Sequence, residues 1–235
     1  MQDFYVTKAD GTSEVFREGK LIGSLTRAGA TEDVARTIAE EVVSRFPSGV
    51  STSEIYRTAF RELRRHNRPT AARYSLRRAL FDLGPTGFPF EDFVGALYKK
   101  MGYKTKLRQM VQGVCVEHEL DVLASNDEEC VAIEVKFHNS AGYKTNVKTT
   151  LYMRARIDDI FDEKITSAKK CPANKAVLIT NTKFTKNAIQ YAECAGLSII
   201  GWRYPEEGSL LDLMMEYHVY PITALTTLSK SQKDE

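Results

Sequence analysis

The stretch His118-Glu119-Leu120-Asp121-Val122, followed eleven residues on by Ile133-Glu134-Val135-Lys136-Phe137, decides the reading of this chain. These segments sit in two apolar-rich runs, 114–124 and 130–137, separated by the polar turn Ser125-Asn126-Asp127-Glu128-Glu129. That spacing predicts two strands joined as an antiparallel hairpin. Side chains alternate faces along a strand. Glu134 and Lys136 therefore share one face, and Ile133, Val135 and Phe137 the other. With the turn centred near Asp127, Asp121 falls opposite Glu134. Two carboxylates so close repel, and one holds its proton unless a cation stands beside them. Mg²⁺ suits such a place, because it takes a few carboxylates plus waters and phosphate oxygens. Lys136 would then orient or deprotonate the attacking water, or offset charge on the phosphate. The chemistry is metal-assisted hydrolysis of a phosphodiester. From the residues alone, a surface hairpin whose charged face meets solvent remains the other reading.

The surroundings extend the pattern. Residues 90–101 read as a helix with Phe90, Phe93, Val94, Leu97 and Met101 on one stripe, ended by Gly102. Residues 147–169 read as a longer, highly charged helix. A strand (175–180), a helix (185–195) and a strand (197–202) form a βαβ-like unit, which makes this half α/β. Upstream, Gly84-Pro85-Thr86-Gly87-Phe88-Pro89 breaks any helix and marks a linker at 84–89. It separates an N-terminal unit, 1–83, from a C-terminal one, 90–235. The N-terminal unit opens with strand-like pieces at 4–8 and 13–16 around the turn Ala9-Asp10-Gly11-Thr12. Helices are predicted over 31–46, 51–64 and 69–81. Ser51-Thr52-Ser53-Glu54 has the form of a capping box.

Composition bounds the rest. With 43% hydrophobic residues among 235, the chain has material for a core. A net charge of +2 means that any nucleic-acid surface must come from local clustering. The four cysteines form no C-x-x-C pair, which argues against structural zinc and points to buried, reduced thiols. No apolar run approaches the ~18 residues of a membrane span, so no membrane partner is expected and the cytoplasm is the default location.

At the hairpin and its flanks, residues 87–202 resemble the PD-(D/E)XK nucleases of the Mrr restriction-endonuclease type. Gly87-Phe88-Pro89-Phe90-Glu91 with Met101-Gly102-Tyr103 is similar to that family's first helix, where Glu91 falls at a metal-binding glutamate. Leu120-Asp121-Val122 resembles the strand of the metal aspartate, and Glu134-Val135-Lys136 the E-x-K element. The segment 180–197 resembles the family's C-terminal part. Phe137-His138-Asn139 stands where many members carry a glutamine. The resemblance implies a restriction-endonuclease-like α/β fold, a central mixed sheet flanked by helices. It implies Asp121, Glu134 and Lys136 as catalytic residues, and Asp121, Glu134 and Glu91 as ligands of Mg²⁺ or Mn²⁺. Alternation adds Glu119 on the face of Asp121, while His118 points away unless the strand bulges.

Residues 4–82 resemble an ATP-cone, a small, mainly helical nucleotide-binding domain with a short hairpin or three-stranded sheet. Val6-Thr7-Lys8-Ala9-Asp10-Gly11, Lys20-Leu21-Ile22, Ser51-Thr52-Ser53-Glu54-Ile55-Tyr56 and Ala72-Arg73-Tyr74 carry the likeness. It implies ATP or dATP as a regulatory ligand, held by Lys8, Lys20, Thr52, Arg77 and Arg78. Ala9 stands where cone members usually have Arg or Lys. The dense arginines at 57–78 face phosphates or solvent. Lys144, Lys148, Arg154 and Arg156, with Tyr143 and Tyr152, are candidates to line a nucleic-acid groove. The combined expectation is a DNA endonuclease with a nucleotide-sensing cone, acting as a homo-oligomer, with defence against foreign DNA as its setting. The alternatives are a non-catalytic nucleotide-responsive DNA-binding regulator and an RNase of the same fold.

Overall fold

The computed structural model describes residues 4–8, 11–140, 142–161 and 175–224. The chain divides into two compact units, Met1–Leu76 and Arg77–Glu235.

In the first unit, β1 (Tyr5–Thr7) pairs antiparallel with β2 (Ser13–Val15) and parallel with β3 (Val50–Ser51). Around this three-stranded sheet lie α1 (Glu18–Arg27), α2 (Glu32–Arg45), α3 (Thr52–His66) and α4 (Arg68–Phe81). The division between units falls inside α4, ahead of the predicted linker. Val6 and Val50 from the sheet meet Leu21, Leu25, Ile38, Val42, Ile55 and Leu63 in one core. Helix starts follow the predicted signals. Thr31 accepts from the Val34 N–H, and Ser51 with Glu54 closes a capping box. α1 is a helix that pattern reading does not supply, because two glycines interrupt it and only Leu21 and Leu25 are buried on it. Ala9 and Asp10 of the predicted turn lie outside the described residues.

The second unit is built on a five-stranded mixed sheet of order β10-β8-β6-β5-β4. Here β4 is Lys104–Gln112, β5 Glu117–Ser125, β6 Cys130–Lys136, β8 Lys175–Thr180 and β10 Ser198–Ile200. The first three are antiparallel, while β6, β8 and β10 run parallel. A separate pair joins β7 (Lys144–Thr145) to β9 (Lys183–Phe184). α5 (Phe88–Lys100) covers one face, and Phe90 meets Phe137 there. α6 (Val147–Ile160) and α7 (Lys186–Ala195) cover the other. There Met153, Ile157, Ala188 and Ala192 pack on Leu178 and Ile199. α8 (Leu210–Glu216) follows.

The hairpin, α5 and the β8–α7–β10 unit match expectation. β4 does not, since its mostly half-exposed edge position leaves too few apolar residues to mark it. Residues 162–169 of the predicted long helix lie outside the described residues, and α6 ends at Ile160. The expectation of buried, reduced thiols is corrected at three positions. Cys130 is disulfide-bonded, and Cys115 and Cys194 are exposed thiols not joined in a disulfide. Cys171 lies outside the described residues. No helix among the described residues is long and apolar enough to cross a membrane.

Candidate active site

The β5–β6 ladder runs from Ser125↔Cys130 to Val122↔Ile133. One step further, the same register sets Asp121 against Glu134, as the hairpin reading requires. The ladder stops there. Instead, the Val135 N–H donates to Asp121 Oδ2 at 2.6 Å. The carboxylate thus takes a bond that a backbone carbonyl would hold in a continued ladder, and the strands part around it. On its other side β6 stays paired with β8 as far as Lys136↔Thr180. Glu134 and Lys136 are therefore held on a rigid strand at the point where its neighbour departs.

A second distortion lies across β5. Leu107↔Val122 and Gln109↔Leu120 bracket Arg108 opposite Asp121. Arg108 has φ +50°, a left-handed conformation rare outside glycine. Leu107 lies against Gly95 of α5, whereas Val111 packs with Leu120 and Ile160 of the opposite layer. Regular alternation would place both on one face, so β4 changes face at Arg108. The twist sends the Arg108 guanidinium to Glu91 (3.2 Å) and Asp92 (2.9 Å) near the start of α5.

Electrostatics concentrate at the centre. Burial pushes Asp121 up to about 6 from its ordinary 3.8, against the Val135 N–H and with Glu91 and Glu119 adding repulsion. Burial and then the charge of Asp121 push Glu134 up to about 7, while Arg156 and Lys136 pull it down. Arg156 of α6 reaches Glu134 Oε2 through Nη1 at 2.5 Å and the Glu119 carbonyl through Nη2. Its Nε is buried without a partner. From the sequence, Arg156 is a candidate to line a nucleic-acid groove. The structure puts it on the Glu134 carboxylate, and the available signal was its spacing of three and four from buried Met153 and Ile160. Lys136 is exposed at the end of β6.

The family model described as "Restriction endonuclease" matches residues 85–202, half of the chain. This chain belongs to the restriction endonuclease family. An "ATP cone domain" model matches residues 4–82 of the same endonuclease chain. A relative from Archaeoglobus fulgidus, named only as an uncharacterized protein, is 39% identical over 139 residues, 59% of this chain and 74% of that one. The crystal structure of a protein of unknown function, AF1548, superposes with a TM-score of 0.53 at 35% identity, covering 60% of this chain and 72% of that chain.

The endonuclease unit brings Asp121, Glu134 and Lys136 together and leaves other candidates apart. Glu91 sits with Arg108, near enough for its charge to raise Asp121. Glu119 is exposed and contributes its carbonyl to Arg156. His118 binds Asp159 at 2.7 Å, and Asp159 also accepts the N–H groups of Cys115 and Val116. That tie, led by His118, holds Asp159 down at about 2. His118 thereby fastens the β4–β5 connection to the end of α6. Among the described residues no three His, Cys, Asp or Glu side chains form a metal-holding group. Asp121, Glu134 and Glu91 do not make one ligand set here, because each faces a protein partner. The donor chemistry of Asp121 and Glu134 nevertheless fits a divalent ion, as two repelling carboxylates shielded from water gain most from a shared cation.

In the cone, Lys8 and Lys20 both reach Glu14, at 2.8 and 3.5 Å. The Lys8 hydrogen bond is the main cause that lowers Glu14. Thr52 opens α3 one residue beyond the Thr7↔Ser51 pair, so it continues the register of Lys8. Arg77 lies over Phe81, and Arg78 faces Asp82 at 3.8 Å, both in the second unit. Of the acidic residues on the same helix as the first arginines of the cluster, Glu62 pairs with Arg65, while Glu54 serves the capping box.

Proposed function

We propose that this protein is a DNA endonuclease that hydrolyses phosphodiester bonds with Mg²⁺ or Mn²⁺, under control of ATP or dATP bound to its cone. In this reading residues 1–83 form the cone, 84–89 the linker and 90–235 the nuclease domain. The observation that carries it is the parting of β5 from β6 around Asp121 and Glu134, with Lys136 one alternation further along.

Asp121 and Glu134 are the residues that would hold the divalent ion. Bound there, it supplies Lewis acidity toward a phosphate oxygen and an acidified water. The chain's own groups do the rest. The Val135 N–H fixes the direction of the Asp121 carboxylate. Arg156 fixes one oxygen of Glu134 and keeps the other available. Lys136 offers an amine for the attacking water or for the charge that builds on phosphate. Arg108 restrains Glu91, whose negative charge tunes Asp121. In the cone, Lys8, Lys20 and Thr52 are the candidates for the nucleotide's phosphates. A homo-oligomer whose assembly responds to nucleotide, working against foreign DNA, is the setting that the family resemblance suggests.

The test is incubation of plasmid DNA with Mg²⁺ or Mn²⁺, with and without ATP and dATP. Cleavage is expected from the native chain and not from the Asp121→Ala, Lys136→Ala double variant. Cleavage that survives in the folded double variant ends the assignment.

A further inference from the structure

Two large rings stand exposed beside the catalytic end of β6, and each is tied to it by one face. The ring of Tyr143 is 65% exposed and stacks on His138, with centroids 5.3 Å apart and planes at 25°. His138 lies two residues beyond Lys136. Its backbone N–H and carbonyl are both bound by the buried Asn181 side chain, each at 2.9 Å. Its Nε2 meets the Thr145 hydroxyl at 3.0 Å, and that hydroxyl meets Thr180 at 3.1 Å. Thr180 is the register partner of Lys136. Tyr152 is 61% exposed, and the guanidinium that holds Glu134, that of Arg156, lies 5.4 Å from its ring centroid. In the sequence between the two tyrosines, the exposed Lys144 and Lys148 add positive charge. Arg154 does not join them, since Asp158 and the Ala195 carbonyl engage it.

An aromatic ring has two faces. Here one face of each is spent on anchoring, which fixes the ring's orientation, and most of the ring remains in solvent. Bases inside a duplex are already stacked on each other and leave no π-face for such a ring. An unpaired base has one to offer, with its phosphate available to the lysines. We infer that the surface formed by Tyr143, Lys144, Lys148 and Tyr152 takes unpaired DNA nucleotides and leads them to Glu134 and Lys136. The inference rests on the nuclease reading above. It assigns unpaired nucleotides as the preferred substrate, whether in single-stranded DNA, at an unpaired end, or in the stretches that open transiently in a negatively supercoiled plasmid.

Binding is measured on the full chain with Ca²⁺ present, by fluorescence anisotropy of labelled DNA, either single-stranded or as a blunt duplex of the same sequence. The native protein is expected to bind the single strand more tightly. Tyr143→Ala and Tyr152→Ala should each weaken that binding about tenfold, within the range expected for one stacked base. Duplex binding should stay within about twofold, and the Phe variants should behave as native because they keep the ring. Equal loss on both DNA forms, a native preference for the duplex, or tighter binding of the matching RNA overturns the inference. A change in oligomeric state with no strand selectivity also overturns it, and marks the surface as a contact between copies. Cleavage that persists in Asp121→Ala strikes the nuclease reading instead, whatever the strand preference.

Discussion

Asp121 and Glu134 hold protons more tightly in the folded chain than carboxylates do in water, and this sets the sign of a pH effect. The folded form of Asp121 titrates at about 6 and the ordinary group at 3.8. The folded state therefore binds more protons across that window. Stability is greatest below it, declines as pH rises through it, and stays lower above about 6. Asp121→Asn keeps an oxygen for the Val135 N–H and removes the charge. It should stabilise the protein by about 1–3 kcal/mol at pH 8 and by nothing measurable at pH 3.5, while abolishing cleavage. Denaturant melts at the two pH values decide the matter, and equal effects at both would contradict the burial argument. Arg156→Gln makes the opposite case, since it strips Glu134 of its cation. A loss of about 2–4 kcal/mol at pH 8 is expected, shrinking in a Glu134→Gln background where no charge needs compensation. An unchanged loss in that background would show Arg156 acting through packing alone. The opposition of Asp121 and Glu134 was legible in the sequence, because strand alternation and one polar turn fix it. The place of Arg108 was not, and that of Arg156 showed only as a spacing from Met153 and Ile160 that names no partner. Both depend on a neighbouring helix, and for Arg108 on a left-handed residue that no local pattern announces.

Elements with strong signals of their own were readable, and elements defined by their neighbours were not. The β5–β6 hairpin, the β8–α7–β10 unit and α3 with its capping box carry periodicity and punctuation in the sequence. α1 has glycines at positions 19 and 23, and β4 is an edge strand whose apolar residues switch faces midway. Both exist because a core and a sheet edge recruit them. The β4–β5 connection offers a test at this scale. A Cβ on Gly113 would lie 2.2 Å from Asp159 Oδ2 and 2.8 Å from the Val116 carbonyl. The second contact is backbone and cannot swing aside. Gly113→Ala should therefore break the clasp of Asp159 on His118 and cost about 2 kcal/mol or more. Loss of hydrogen-exchange protection should be confined to the connection and the end of α6. A variant as stable as the native chain would show that the loop moves freely there.

At the scale of the whole molecule, an ATP-cone and a nuclease domain in one chain raise the question of coupling, which thermodynamics constrains without reference to any path between them. A nucleotide that binds only the folded protein stabilises it by about 2.7 kcal/mol at one hundred times its dissociation constant. ATP or dATP should raise the melting temperature, and the Lys8→Ala, Lys20→Ala pair should remove that rise. Both lysines already share Glu14, so their loss also frees a carboxylate near the phosphates and compounds the effect. If the cone controls the nuclease through DNA affinity, the influence must be reciprocal. A tenfold change in DNA binding caused by ATP requires the same tenfold change in ATP binding caused by DNA, about 1.4 kcal/mol in each direction. Titrating ATP into the protein with and without a DNA oligonucleotide, in Ca²⁺, measures one side; titrating DNA with and without ATP measures the other. Equal factors above one place regulation in binding. ATP-dependent cleavage with both factors at one places it in the catalytic step, where no such symmetry is required. If ATP leaves the melting temperature, both affinities and cleavage unchanged, the cone is not a sensor for this nuclease.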